Sequence, residues 1–301
     1  MNATRDADLA VLLPSWELSL RAERKSPQTV KSYGDGVRRF LAWAAENNVP
    51  PVLDRKTLTA FVADLLDAGA EPATARSRQL AVRRFSAWLL EEGEITEDRL
   101  IGARGPKIDT KVVEPLTDAE LVAMLKACSG LDPLRDRRDE AIIRLMFETG
   151  ARAGEVAALG VADVDLATGT AIVRRGKGGK GRSVPFGPQT ARALDRYLRL
   201  RRGHRLAATP DLWLGDRGKP FNYEGLHKAL GGRAKMAGVV GFHPHRLRHT
   251  AAHRWLAAGG SEGGLMSVAG WTRPDMLLRY TKAQASARAA DEARKLNLGD
   301  L

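Results

Sequence analysis

The stretch IGARGPKIDTKVVEP, residues 101–115, carries glycines, two prolines and no hydrophobic periodicity, the composition of a connection between domains. A chain interrupted in this way does not close around one core. With 301 residues it is long enough for two. We expect a first domain at 1–101, a linker at 102–116 and a second domain at 117–301, in which residues 283–301 form a C-terminal tail.

The first domain reads as all-helical. Ser26, Pro27 and Thr29 stand in the order of cap and N1 proline, and Val30, Tyr33, Val37, Phe40, Leu41 and Ala44 follow at helical spacing up to Asn47 and Asn48. Leu58, Phe61, Val62, Leu65 and Leu66 form a second stripe ending at Gly69. Leu80, Phe85, Trp88 and Leu89 form a third ending at Gly93. With a helix over about residues 8–24, four helices result. Arg38, Arg39, Arg76, Arg78, Arg83 and Arg84 lie between the stripes, where either a solvated face or a phosphate-contacting face fits the pattern.

Past the linker, Thr117 and Glu120 form a capping box, with Leu116 and Leu121 placed as its hydrophobic staple, and this starts a helix at Asp118. A further helix is expected over 139–148. Short strands are expected over 161–165, 170–175 and 182–186, the last two joined by the turn GKGGKG. Helical patterns return over 189–202, 223–237, 246–258 and from 275 onward. The fold class expected is therefore mainly α with one small antiparallel sheet in the second domain.

Charge narrows the partners. The chain carries 48 Lys and Arg against 36 Asp and Glu, a formal net charge of +12. Before residue 100 the balance is 14 basic to 15 acidic residues, and after it 34 to 21, so the whole excess lies in the second part. A polyanion is the expected partner, nucleic acid before anionic membrane. The single cysteine, Cys128, excludes an intramolecular disulfide and a cysteine-based zinc site and gives no reason to expect an oxidising compartment. No segment approaches the ~20 apolar residues of a membrane span. A cytoplasmic, nucleoid-associated protein is expected.

Two motifs invite a quick reading that their chemistry does not support. His245, His249 and His253 recur at i, i+4 and i+8 on one helix, yet the glutamate of HExxH is absent and Arg246, Arg248 and Arg254 would repel a cation. No metal site is expected; His243 and His253 read as packed or hydrogen-bonded side chains. The glycines of GKGGKG suggest a P-loop, but no Gly-Lys-Ser/Thr follows and strands flank the turn on both sides. What remains is a hairpin tip presenting Lys177 and Lys180.

Taken in order, TGARAGEV (149–156), the lysine hairpin, PHRLRHT (244–250) and AGWTRPDMLLRY (269–280) resemble the signature boxes of the tyrosine recombinases, or phage integrases. The first hundred residues are similar to the helical core-binding domain of that family, so the resemblance covers nearly the whole chain. It implies a metal- and ATP-independent enzyme, without cofactor, that breaks and rejoins DNA through a 3′-phosphotyrosyl intermediate. By position in the boxes, Arg152 and Arg248 hold the phosphate, Tyr280 is the nucleophile and His245 accepts its proton. Lys177, with Lys180 as the alternative, protonates the 5′-oxygen. Trp271 stands where many members carry a second histidine, and Glu155 and His249 support.

Such chemistry suits the residues. Charge building on the non-bridging oxygens needs fixed donors, and guanidinium supplies two in parallel while staying protonated. The resemblance further implies duplex recombination sites as substrate and a homo-oligomer, a tetramer on DNA, whose C-terminal tail is exchanged between protomers or folds back on its own chain. It leaves room for an accessory directionality protein. Arg38, Arg39, Arg76, Arg83, Lys180 and Arg182 are the DNA-contacting candidates. Integration and excision of a phage or mobile element is the first expectation for its use, and a Xer-like dimer resolvase the second. A type IB topoisomerase and a non-catalytic DNA-binding protein of the same fold are further alternatives.

Overall fold

The computed structural model describes residues 8–108, 113–130, 132–174, 181–215 and 221–273, together with Leu277 and Arg294. The chain divides into two compact units, Met1–Lys111 and Val112–Leu301.

The first unit contains α1 (Leu9–Ala22), α2 (Pro27–Glu46), α3 (Arg55–Asp67) and α4 (Pro72–Glu91). Each start has a local cause. Asp8, Ser26 and Asp54 accept backbone N–H groups that the first turn cannot satisfy internally, and Pro27 and Pro72 occupy positions where no donor is needed. Helices α2 and α4 approach closely because Gly36 lacks a Cβ: one built there would lie 2.5 Å from the Ala81 methyl. Trp16 stacks on Tyr33 and tilts against Phe85, at 5.9 and 5.1 Å between ring centroids. Leu80, taken above as part of the α4 stripe, is exposed, while Phe85, Trp88 and Leu89 of that stripe are buried together with Ala75, Gln79, Ala81, Val82 and Ser86.

Residues just past α4 pack back onto this unit. Leu100 is fully buried, Asp98 accepts from the Ser86 hydroxyl at 2.6 Å, and the Gln79 side chain donates to the Arg104 carbonyl at 3.0 Å. The start of the glycine and proline stretch is thus held by α4.

In the second unit, the Leu116 N–H donates to the Thr250 hydroxyl at 2.8 Å, and the Thr117–Glu120 capping box opens α5 (Asp118–Lys126). Helix α6 (Pro133–Thr149) begins six residues before the expected start, because Asp132 caps it and Pro133 takes N1. Asp139 is an interior residue of α6, where its carboxylate receives Arg138 and Arg233. Arg233 also meets Asp136 at 2.7 Å and the Ala127 carbonyl, a fully buried cation with partners on two carboxylates.

After α6 come α7 (Ala153–Ala157), a 3₁₀ turn (Val161–Asp163), β1 (Val164–Asp165), β2 (Thr170–Val173) and β3 (Arg182–Pro185). The first expected strand is therefore mostly 3₁₀, with Asp163 turned back to accept the Gly160 N–H. The strands run antiparallel in the order β1-β2-β3, and Val173 faces Arg182 at the hairpin end.

Helices α8 (Pro188–Arg201), α9 (Tyr223–Met236), α10 (Pro244–Ala257) and α11 (Glu262–Ala269) complete the described unit. Helix α10 starts two residues earlier than expected, with Pro244 at N1. Helix α11 was not expected, since Gly263 and Gly264 weaken its pattern. Ser261 caps it by accepting the Gly264 N–H, and Gly264 leaves room for Trp255, whose ring would lie 3.0 Å from a Cβ there. The helix expected from 275 onward and the tail at 283–301 lie outside the described residues, apart from Leu277 and Arg294. Among the described residues, no helix is long and apolar enough to cross a membrane.

Candidate active site

Helix α6 ends in Gly150, which takes a left-handed conformation at φ +64°. This turn reverses the chain and places Arg152 at the N-cap of α7. There the Arg152 N–H donates to Glu155 Oε2 at 2.9 Å, while its Nη1 donates to Glu155 Oε1 at 2.8 Å and its Nη2 to the Gly270 carbonyl at 3.2 Å. The Glu155 carboxyl is buried, which pushes its pKa up, but hydrogen bonds from Arg182 and then from Arg152 outweigh burial and hold it at about 2. It is a fixed anion at any working pH.

Arg248 comes from the second turn of α10. Its side chain is 1% exposed, Nη1 donates to the Gly150 carbonyl at 2.6 Å, and the guanidinium carbon lies 5.2 Å from the centre of the Trp271 ring. Arg152, Gly154, Glu155, Tyr223, His245 and Arg248 line one open pocket of about 410 Å³. The structure thus brings together Arg152, His245 and Arg248 from α7 and α10, with Glu155 behind the first arginine.

His245, exposed in the first turn of α10, stands edge-on to His249 at 4.8 Å and stacks on His243 at 6.4 Å. His249 is buried; burial first, and then the neighbouring His245, His243, His253 and Arg248, bring its pKa down to about 4. It is neutral at pH 7. Burial likewise lowers His243 and His253. Among the described residues, no three His, Cys, Asp or Glu side chains converge as metal ligands do.

Trp271 is buried in a small core with Ala252, Leu256, Leu265, Ala269 and Leu277. It supports Arg248 from beneath and is not part of the pocket lining. Lys177, Lys180 and Tyr280 lie outside the described residues.

Of the four DNA-contacting candidates in the first unit, two are paired with carboxylates. Arg38 pairs with Glu17 and Asp35 and Arg39 with Glu46; Arg83 is half-buried, and Arg76 is exposed. The Arg182 guanidinium turns inward, donating from Nε to the Val268 carbonyl at 2.8 Å and from Nη1 and Nη2 to the two oxygens of Glu155 at 3.1 and 2.7 Å. A buried carboxylate offers it more than solvent does.

Two features of the site escape the sequence. Tyr223, at the start of α9, lies in the pocket lining although it belongs to none of the boxes. The union of Arg182 with Glu155 joins residues far apart in the chain, and no spacing rule signals it.

Residues 114–287 match the model of the phage integrase family, and residues 13–93 match that of the phage integrase N-terminal SAM-like domain. The tyrosine recombinase XerC of Methylobacterium nodulans is 30% identical over 298 residues, covering 93% of this chain and 90% of that protein. The XerC of Xanthomonas campestris is 31% identical over 271 residues, covering 88% and 81%. Among solved structures, a XerA recombinase aligns at 25% identity over 91% of this chain and 94% of that one, with a TM-score of 0.52. A lambda integrase dimer bound to a core site shares the fold at a TM-score of 0.70 and 17% identity, over 90% and 94%.

Fold and relatives define a DNA strand-transfer enzyme of the tyrosine type, a site-specific recombinase. The chain belongs to the phage integrase family.

Proposed function

We propose that the pocket between α7 and α10 holds the scissile phosphodiester, with Arg152 and Arg248 donating to its non-bridging oxygens. The observation that carries this reading is the convergence of the two guanidiniums and His245 on one pocket of about 410 Å³, with Glu155 orienting Arg152. In-line attack spreads negative charge over those oxygens, and prearranged donors need no reorganisation as it develops. Tyr280 attacks phosphorus as its phenol proton passes to His245. The bond to the 5′-oxygen breaks, and Lys177, or Lys180, gives that oxygen a proton. The enzyme is left joined to the 3′-phosphate, and reversal by a second 5′-hydroxyl reseals the strand. Bond energy is conserved, so no nucleotide hydrolysis is required.

Exchange between two duplexes breaks each of their strands once and so needs a nucleophile for each, which a tetramer on DNA supplies. Integration and excision of a phage or mobile element is the first reading of its use. A second, resolution of chromosome or plasmid dimers, is favoured by relatives named XerC that align over most of this chain.

The test begins by sequencing junctions formed in cells, which yields the crossover sequence and separates the two uses. A nicked suicide duplex of that sequence, incubated with protein in chelator, then traps a covalent adduct. A wild-type adduct that Tyr280→Phe abolishes supports the reading. No wild-type adduct, or one formed equally by Tyr280→Phe, overturns it; relaxation of supercoils without exchanged junctions would point to a topoisomerase.

A further inference from the structure

Arg182 opens β3, the strand that leaves the lysine hairpin, and three observations about it converge. First, its side chain is only 13% exposed, and its fork takes both oxygens of Glu155, the same carboxylate that holds the Arg152 backbone and guanidinium. Second, its Nε donates to the Val268 carbonyl near the end of α11, two residues before the Gly270 carbonyl that Arg152 itself reaches. Third, Gly270 takes φ +64°, and a Cβ there would come within 2.9 Å of the Arg182 guanidinium carbon, so the backbone is shaped around this side chain.

Charge gives the arrangement a purpose. Glu155 and Arg152 alone would form a closed, neutral pair with little attraction left for a phosphate. A second guanidinium on the same carboxylate leaves the cluster with a net positive charge and fixes the plane of the carboxylate. Arg152 then has one direction for its bond to Glu155, and the rest of its fork is set relative to the pocket.

We propose that Arg182 is a positioning residue for strand cleavage: by gripping Glu155 it orients Arg152 and preserves the positive charge of the pocket, and through Val268 it ties the hairpin strand to the α11 end that leads into Trp271. The assignment rests on the reading of Arg152 as a phosphate ligand. Arg182 acts through Glu155 and Arg152 and does not itself contact DNA.

The experiment uses the full-length protein and the nicked suicide duplex described above, and measures single-turnover adduct formation, duplex Kd and Tm. Arg182→Gln is expected to slow cleavage by about tenfold to a hundredfold with Kd within about twofold of wild type. In a double-mutant cycle, Arg182→Gln added to Arg152→Ala should bring no further loss, because the two act as a unit. Arg182→Lys, which keeps the charge but loses the fork, should fall between wild type and Arg182→Gln, and it carries the test should the glutamine variant not fold. Folded variants that cleave within twofold of wild type, or a loss that multiplies in full with that of Arg152→Ala, would overturn the assignment. The functional reading fails separately, if wild type forms no adduct or Tyr280→Phe forms one.

Discussion

Arg248 donates to the carbonyl of Gly150 at 2.6 Å, so the second pocket arginine is anchored on the left-handed residue that ends α6. The same glycine reverses the chain toward Arg152. One turn therefore sets the positions of both guanidiniums, and the two parts of the relationship are separable. Removing the donor, Arg248→Ala, should lower single-turnover cleavage by about 10²–10³. Gly150→Ala keeps both arginines but forces an L residue to φ +64° with its Cβ 3.3 Å from that of Ala251; it should destabilise by about 1–2 kcal/mol, a fall in Tm of about 2–8 °C. A Gly150→Ala protein that melts with wild type would show that the turn adapts freely.

Tyr223 lies in the pocket lining and is 55% exposed, which makes it a rival nucleophile on geometry alone. Tyr280 occupies the box that matches the family. Tyr223→Phe is expected to keep adduct formation within about fivefold of wild type, since losing a hydrogen bond to substrate costs about 1 kcal/mol, whereas Tyr280→Phe should form none. Mapping the DNA-linked peptide by mass spectrometry decides between them, and a linkage at Tyr223 would reassign the chemistry.

Much of this organisation is legible in the sequence because it is written locally. Ser26 with Pro27, and Thr117 with Glu120, announce helices through groups within one turn of each other, and those helices form where they are expected. Arg152, His245 and Arg248 are found through order along the chain, and the structure brings them to one pocket. What escapes is decided by distant partners. Helix α6 begins before the expected 139, and Asp139 inside it is held by Arg233, from α9. Arg182 reads in the sequence as a basic residue beside the hairpin, and only the fold shows that Glu155 takes both arms of its fork. Helix α11 is hidden by two glycines, one of which is there to admit Trp255.

His249 gives the second unit an acid-sensitive element. Burial lowers its pKa from 6.5 to about 4, so the folded state holds it neutral while the unfolded chain binds its proton from pH 6.5 downward. It costs nothing above pH 6.5, and a penalty grows as pH falls from 6.5 toward 4, reaching about 3 kcal/mol at most. His243 and His253 are also lowered and act in the same direction. In urea unfolding between pH 7.5 and 4.5, His249→Gln should therefore lose stability less steeply than wild type. Parallel pH profiles for the two proteins would rule out His249 as a source of the acid sensitivity.

The uneven charge of the chain predicts which unit responds to salt. The residues after position 100 carry 34 basic against 21 acidic side chains, and those before it 14 against 15. Within the first unit, Arg38 and Arg39 are also held by carboxylates. Phosphate contacts release counterions, so each one steepens the fall of log K with log salt by about 0.9. Each unit has buried clusters of its own, and the two can be prepared separately as 1–111 and 112–301. The second fragment should show the steeper salt dependence on the same duplex, with the first binding through few ionic contacts and a shallow slope. Fluorescence anisotropy titrations between about 50 and 200 mM salt measure both slopes. A steeper slope for the first fragment would mean that its paired arginines exchange their carboxylates for phosphate on binding, and that the net charge of a unit is a poor guide to its grip on DNA.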